Sequence, residues 1–238
     1  MTDVIPAPAQ VRVPVRGGGR FPVRRVYCVG RNFADHAREM GAQAPASKAE
    51  RGSPVFFSKP ADAITTGGVI HYPPATADLH HEVELVVALG RDAPDGVLDP
   101  ASATALVFGY GVGLDLTRRD LQAAAKKAGL PWDTGKGFDE SAPLSELVPA
   151  ADIGELAPRR LSLAVNGVER QAAPLSDLIW DVPDILHELA KLYALRAGDL
   201  VFMGTPAGVA ALLPGDECEA RLDDAIVLRC RIAAARVT

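Results

Sequence analysis

Two carboxylates stand two residues apart in Leu79-His80-His81-Glu82-Val83-Glu84-Leu85-Val86-Val87-Ala88-Leu89, an otherwise mostly apolar run closed by Gly90. Period-two alternation of aliphatic and β-branched residues predicts a strand. Residues two apart share one face of a strand, so Glu82 and Glu84 project together while Val83, Leu85, Val87 and Leu89 project the other way, into a core. Val86 and Ala88 continue the carboxylate face, which is therefore apolar further along. Like charges on a buried strand repel each other and lose hydration, a cost that a positive charge between them removes. A divalent cation held by oxygen ligands is one answer. A half-exposed strand edge with two solvated glutamates is the other.

Three further places offer chemistry. His36 and Glu39 stand three apart in Asn32-Phe33-Ala34-Asp35-His36-Ala37-Arg38-Glu39, so a helix makes them neighbours. The pair reads either as a general base with its orienting carboxylate or as a surface salt link. Asp115 falls where the strand expected over 107–116 gives way to a helix running through Ala128, a position for a ligand or, like Asp120, for a helix cap. Lys136 lies between two glycines in a turn-rich connection, outside any periodic pattern, and is either functional or a solvated lysine. Gly204-Thr205-Pro206-Ala207-Gly208 supplies backbone N–H groups and one hydroxyl, a nest for a carboxylate or simply a tight turn.

The elements that must position these groups are short and mostly β. Strands are expected over 25–30, 54–60, 69–72, 161–165 and 168–171, with Asn166-Gly167 as a two-residue hairpin turn, and over 200–203 and 226–232. The His36 helix is expected between Asn32 as N-cap and Gly41, and other helices over 117–128, 176–179 and 182–192. Residues 42–53 read as a polar, mobile loop, 1–20 as an irregular arm, and 21–238 as a single domain. With 22 glycines and 19 prolines, turns between short elements are favoured over a helical bundle.

A net charge of −5 argues against nucleic-acid binding, which calls for a basic stripe. Three scattered cysteines, Cys28, Cys218 and Cys230, favour a reducing compartment over a disulfide framework. No apolar run approaches the roughly 20 residues of a membrane span. The arginine-rich start is broken by prolines and by Gly17-Gly18-Gly19, so it does not form an amphipathic targeting helix. A cytoplasmic protein is expected.

Seven segments in order carry a resemblance: Val26 to His36, Phe57-Ser58-Lys59-Pro60, His81 to Leu85, Asp115 to Gln122, Lys136-Gly137-Phe138-Asp139, Val165-Asn166-Gly167, and Gly198-Asp199-Leu200 through Val209. Together they resemble the fumarylacetoacetate hydrolase (FAH) family over about residues 24–236. Leu116 to Gln122 and Leu178-Ile179-Trp180-Asp181-Val182-Pro183 look most like its fumarylpyruvate hydrolase and acylpyruvase members. The resemblance implies an α+β fold, a β-rich roll of mixed sheets with peripheral helices, usually a homodimer. It implies Mg²⁺ or Mn²⁺ on the positions matching Glu82, Glu84 and Asp115, and a lid bearing His36 as base and Glu39 as its orienter. By the same likeness Lys136 lies near the metal as a catalytic group, while Arg31, Gln122 and Thr205 contact substrate. The implied reaction is hydrolysis of a 2,4-dioxo acid, best fumarylpyruvate to fumarate and pyruvate in gentisate breakdown. Decarboxylation or tautomerisation of oxaloacetate on the same site is the rival reaction, and a non-catalytic relative that binds a small acid is the rival of a different class.

Overall fold

In the computed structural model, which describes residues 3–236 apart from 40, 42, 44, 46, 47, 95 and 97, the strand Val83–Leu89 is an inner strand of a six-stranded sheet. The sheet order is Val148–Pro149, Val107–Leu114, Val83–Leu89, Leu200–Phe202, Val26–Gly30, Val55–Lys59. Only the pairing of 200–202 with 26–30 is parallel, so the sheet is mixed. Every residue of Val83–Leu89 is buried, because both faces of the sheet are covered.

The covering differs on the two faces, and strand alternation sorts the side chains between them. Val83, Leu85, Val87, Leu89, Val29, Val201 and Met203 enter the larger core. That core is closed by a five-stranded sheet that contains Arg160–Val165, Glu217–Leu222 and Ile226–Ala233, and by the helix Val182–Ala190 through Ile185, Leu186 and Leu189. Val86, Ala88, Val26, Cys28, Leu200 and Phe202 enter a second, smaller core with Val13, Phe21, Leu144 and Leu147. Glu84 stands two residues before Val86, so the carboxylates sit at the margin of this second core. The α+β class expected from the sequence is the class observed, with several mixed sheets and few helices.

Several local expectations are corrected. The N-terminal stretch is not irregular throughout: Arg12–Pro14 pairs antiparallel with Arg20–Pro22, and Gly17, Gly18 and Gly19, all at positive φ, make the turn. This hairpin is ordered because Val13 and Phe21 are opposite each other and both enter the second core. Asn32 does not cap the helix, which runs Ala34–Glu39; its buried side chain donates to Trp180 O and Met203 O and accepts from Trp180 N. Tertiary partners outcompete the cap. Thr117–Arg118 pairs with Leu79–His80, so the next helix starts at Arg119 and ends at Ala128. Leu175–Asp177 is a single 3-10 turn, and the helix that follows stops at Ala190. Of the loop over 42–53, residues 42, 44, 46 and 47 lie outside the described residues, and Lys48–Glu50 forms a 3-10 turn. Asn166 (φ 53°) and Gly167 (φ 75°) make the expected two-residue hairpin turn between Val165 and Val168.

Candidate metal centre

Strand register builds the centre. Val83 is opposite Leu114, which sets Glu82 against Asp115, and Asp115 N donates to Glu82 O at 2.8 Å. Glu84 is opposite Gly113, where no side chain competes for the space. Glu82, Glu84 and Asp115 are all buried, and one carboxylate oxygen from each lies within 4.8 Å of the others. Glu82 precedes the regular strand by one residue but still joins Glu84 in the same cluster.

Three cations surround these acids. Lys136 Nζ donates to Glu82 Oε2 at 2.8 Å, Asp115 Oδ2 at 2.5 Å and Thr117 Oγ1 at 2.7 Å. Arg119 bonds Glu82 Oε1 and, at 2.6 Å, Gln122 Oε1. Lys59 Nζ lies 2.8 Å from Asp115 Oδ1 but directs its hydrogen bonds to Leu116 O and Lys136 O. Lys136 is thus buried, not solvated, and the short helix Asp133–Lys136 that carries it packs tightly on the preceding helix, Arg119–Ala128. A Cβ at Gly135 would meet Gln122 N at 3.0 Å, so glycine lets the two helices come together.

The charge distribution is uneven. Burial alone would raise the Glu82 carboxyl, but Lys136 and Arg119 outweigh it and hold Glu82 well below the usual carboxylate range. Glu84 is driven the other way, by burial first and then by Asp115 and Glu82, with partial relief from the Lys136 charge and from Gly204 N, 2.8 Å from Oε2. Burial would lower the Lys136 ammonium, but Asp115 and Glu82 raise it, so it stays charged. Asp115 Oδ1 is buried without an aligned hydrogen-bond donor. Hard carboxylate oxygens converging on one point, one of them lacking a donor and one carboxyl short of positive charge, fit a hard divalent cation.

The nine residues singled out from the sequence gather here. Glu82, Glu84, Asp115, Lys136, His36, Arg31, Gln122 and Thr205 line one cavity. Glu39 stands behind His36, with Oε2 3.0 Å from Nδ1, and its Oε1 accepts from Gly208 N at 3.1 Å. His36 is buried, which excludes a solvated surface link. Nδ1–H donating to Glu39 leaves Nε2 with its lone pair free, the tautomer a base needs. The 204–208 loop is fixed by Gln171, whose Nε2 donates to Thr205 Oγ1 and Pro206 O at 2.8 Å each. Thr205 accepts there and keeps its own O–H to donate.

Sequence reasoning missed Lys59, Arg119 and Gln171 as parts of the site. Arg119 had a signal, three residues before Gln122 on one helical face. Lys59 had a fainter one, a lysine ending an apolar strand before Pro60. Gln171 lies in a solvent-facing hairpin strand and had none. Its Oε1 bonds His81 Nδ1 and Val83 N, so it ties the second sheet to the start of the carboxylate strand.

A model of the fumarylacetoacetate (FAA) hydrolase C-terminal family matches residues 25–233. The chain is similar to oxaloacetate tautomerase YcgM of Escherichia coli, 41% identical over 208 residues, covering 85% of this chain and 90% of that protein. It is similar to a fumarylpyruvate hydrolase of a Ralstonia species, 38% identical over 179 residues, 75% of this chain and 92% of that one. A crystal structure of fumarylpyruvate hydrolase from Pseudomonas aeruginosa in complex with Mn²⁺ and pyruvate superposes with a TM-score of 0.91 at 42% identity, over 98% of this chain and 100% of that chain.

Proposed function

This chain belongs to the fumarylacetoacetate hydrolase family, and on that premise we propose that it is a metal-dependent hydrolase of 2,4-dioxo acids, with fumarylpyruvate as its substrate. The observation that carries this reading is the His36–Glu39 pair on the same cavity as the three buried carboxylates. Mg²⁺ or Mn²⁺ held by Glu82, Glu84 and Asp115 would supply Lewis-acid polarisation and a template for the substrate's carboxylate and adjacent keto oxygen. His36 Nε2 takes a proton from water, and the hydroxide adds to the distal carbonyl carbon, C4. Glu39 holds the ring in the required tautomer and stabilises the imidazolium that forms. Collapse breaks the C3–C4 bond, leaving the acyl half as fumarate and the other half as the enolate of pyruvate, which is protonated at C3. Lys136 faces the developing negative charge from a dry site, where a fixed ammonium is most effective. Thr205 O–H and Gln122 contribute hydrogen bonds that fix the acid in register.

The same reading has the enzyme acting as a cytoplasmic homodimer in aromatic-acid breakdown. Oxaloacetate tautomerisation is the second reading, favoured by the 41% identity to the Escherichia coli tautomerase. It needs a proton moved at the carbon next to the keto group, which His36 is also placed to do. Proton NMR of the Mn²⁺-activated protein, quenched and stripped of metal before acquisition, with fumarylpyruvate and separately with oxaloacetate decides between them. Equal amounts of fumarate and pyruvate are expected. His36→Ala should lower that rate by about 10²–10⁴-fold. No loss of fumarylpyruvate alongside rapid conversion of oxaloacetate would overturn the hydrolase reading.

A further inference from the structure

The helix Arg119–Ala128 presents Arg119, Gln122 and Lys126 at spacings of three and four, one face of a helix, and all three line the cavity. Arg119 is committed to Glu82 and Gln122. Lys126 is not committed to any acid. It is half-buried, and its Nζ stands 5.0 Å from the centroid of the Trp132 ring. Among the described residues no carboxylate is within ion-pair distance of Lys126 or of Arg31, which lines the same cavity. Burial, then Arg119 and Arg31, push the Lys126 ammonium below its ordinary range, so an arriving anion would relieve an existing crowding of positive charge. Lys127, one residue on, is exposed and faces away.

Around Lys126 the cavity wall is aromatic. Trp132 packs on Phe57 with ring centroids 6.0 Å apart, and both line the cavity. A flat apolar wall ending in an unpaired ammonium fits a planar, unsaturated chain that ends in a carboxylate. The carboxylate at the other end of a dioxo acid is claimed by the metal centre and Thr205, so the ammonium is left for a second one.

We infer that Lys126, set against Trp132, binds a distal carboxylate on the acyl group and makes the enzyme selective for dicarboxylic acylpyruvates. This rests on the acylpyruvate reading above. Lys126 is a specificity-determining residue here, separate from the groups that hold metal or move protons.

The test compares Lys126→Met and Lys126→Arg with the unaltered enzyme, all in Mn²⁺, on fumarylpyruvate and on acetylpyruvate, whose acyl group has no carboxylate. In Lys126→Met the ratio of kcat/KM for fumarylpyruvate to that for acetylpyruvate should fall on the order of 30-fold, the scale of one lost hydrogen bond to a charged group. The change should appear chiefly in KM, and Lys126→Arg should recover most of it. An unchanged ratio overturns the inference. In parallel, calorimetry measures binding of fumarate and of crotonate, which carries a methyl in place of one carboxylate. Fumarate should bind more tightly to the unaltered protein, and Lys126→Met should abolish that preference. If no acylpyruvate is turned over by the unaltered enzyme, the hydrolase reading fails and calorimetry alone decides. Equal affinity for the two acids, or a preference that survives Lys126→Met, sinks the role of Lys126.

Discussion

At the scale of residues, three acids and three cations share one buried site, and their balance is set by who touches whom. Glu82 and Asp115 each have lysine partners, whereas Glu84 has a single backbone N–H. Glu84 therefore holds its proton above the ordinary carboxylate range when no cation is present. The sign follows from linkage: a carboxyl raised on folding stabilises fully at low pH, and that contribution is lost as pH rises through its elevated value. A bound cation reverses this, because it takes the ionised form and releases the proton. Thermal melts with Mn²⁺ and with EDTA across pH 5 to 8 should show a gap that widens as pH rises. A gap that stays constant would mean that Glu84 does not change ionisation on binding. The carboxylates were legible because Glu82 and Glu84 break an apolar strand at period two. Among the partners of those acids, Lys136 was placed there only through the resemblance, and Lys59 and Arg119 were not foreseen, because sequence spacing to Glu82 or Asp115 says nothing about distance in space. For His36 and Glu39 the spacing showed that they meet, but only the burial of His36 on the cavity that the carboxylates line, with Glu39 more exposed behind it, favours a base over a surface ion pair.

At the scale of elements, the centre depends on a few backbones that approach more closely than side chains allow. Gly204 follows the strand Leu200–Phe202 by two residues and sits at φ +93°. A Cβ there would lie 2.7 Å from Asn32 Cβ and 3.1 Å from Val29 O. The same residue gives Glu84 its hydrogen bond, so its conformation serves both fold and site. Gly204→Ala should destabilise the protein by about 1–3 kcal/mol from backbone strain and weaken Mn²⁺ binding as the loop shifts from Glu84. Urea denaturation and a metal titration of the variant check both, and unaltered stability would show that the loop is not constrained as described. Element types were largely legible, since period two and the Asn166-Gly167 turn are local signals. What failed was local too: Asn32 has a capping residue's side chain, yet Trp180 and Met203 take its hydrogen bonds, and no local rule foresees partners 148 and 171 residues away. The Val13/Phe21 hairpin was missed because its two strands are only three residues long and its order comes from a core built elsewhere.

At the scale of the whole molecule, the functional groups come from distant parts of the chain and meet because two cores fix one sheet on both faces. Val26–Gly30 lies beside Leu200–Phe202, so the His36 helix and the 204–208 loop leave neighbouring strands and meet at Glu39 and Gly208. Gln171 then joins the five-stranded sheet to that loop and to Val83. This long-range arrangement was legible only through the resemblance of seven ordered segments, since strand order is set by packing that no local pattern encodes. The central claim is that this one buried centre must hold a divalent cation for C–C hydrolysis to occur. Protein stripped with EDTA and titrated with Mn²⁺, with bound metal and fumarylpyruvate hydrolysis followed in the same samples, tests it most directly. Hydrolysis is expected to be absent in the stripped protein, to rise in step with occupancy and to level off at about one ion per chain, the number that one such centre holds. Full hydrolysis by stripped protein, or saturation with Mn²⁺ at this stoichiometry without any fumarate formed, would contradict it.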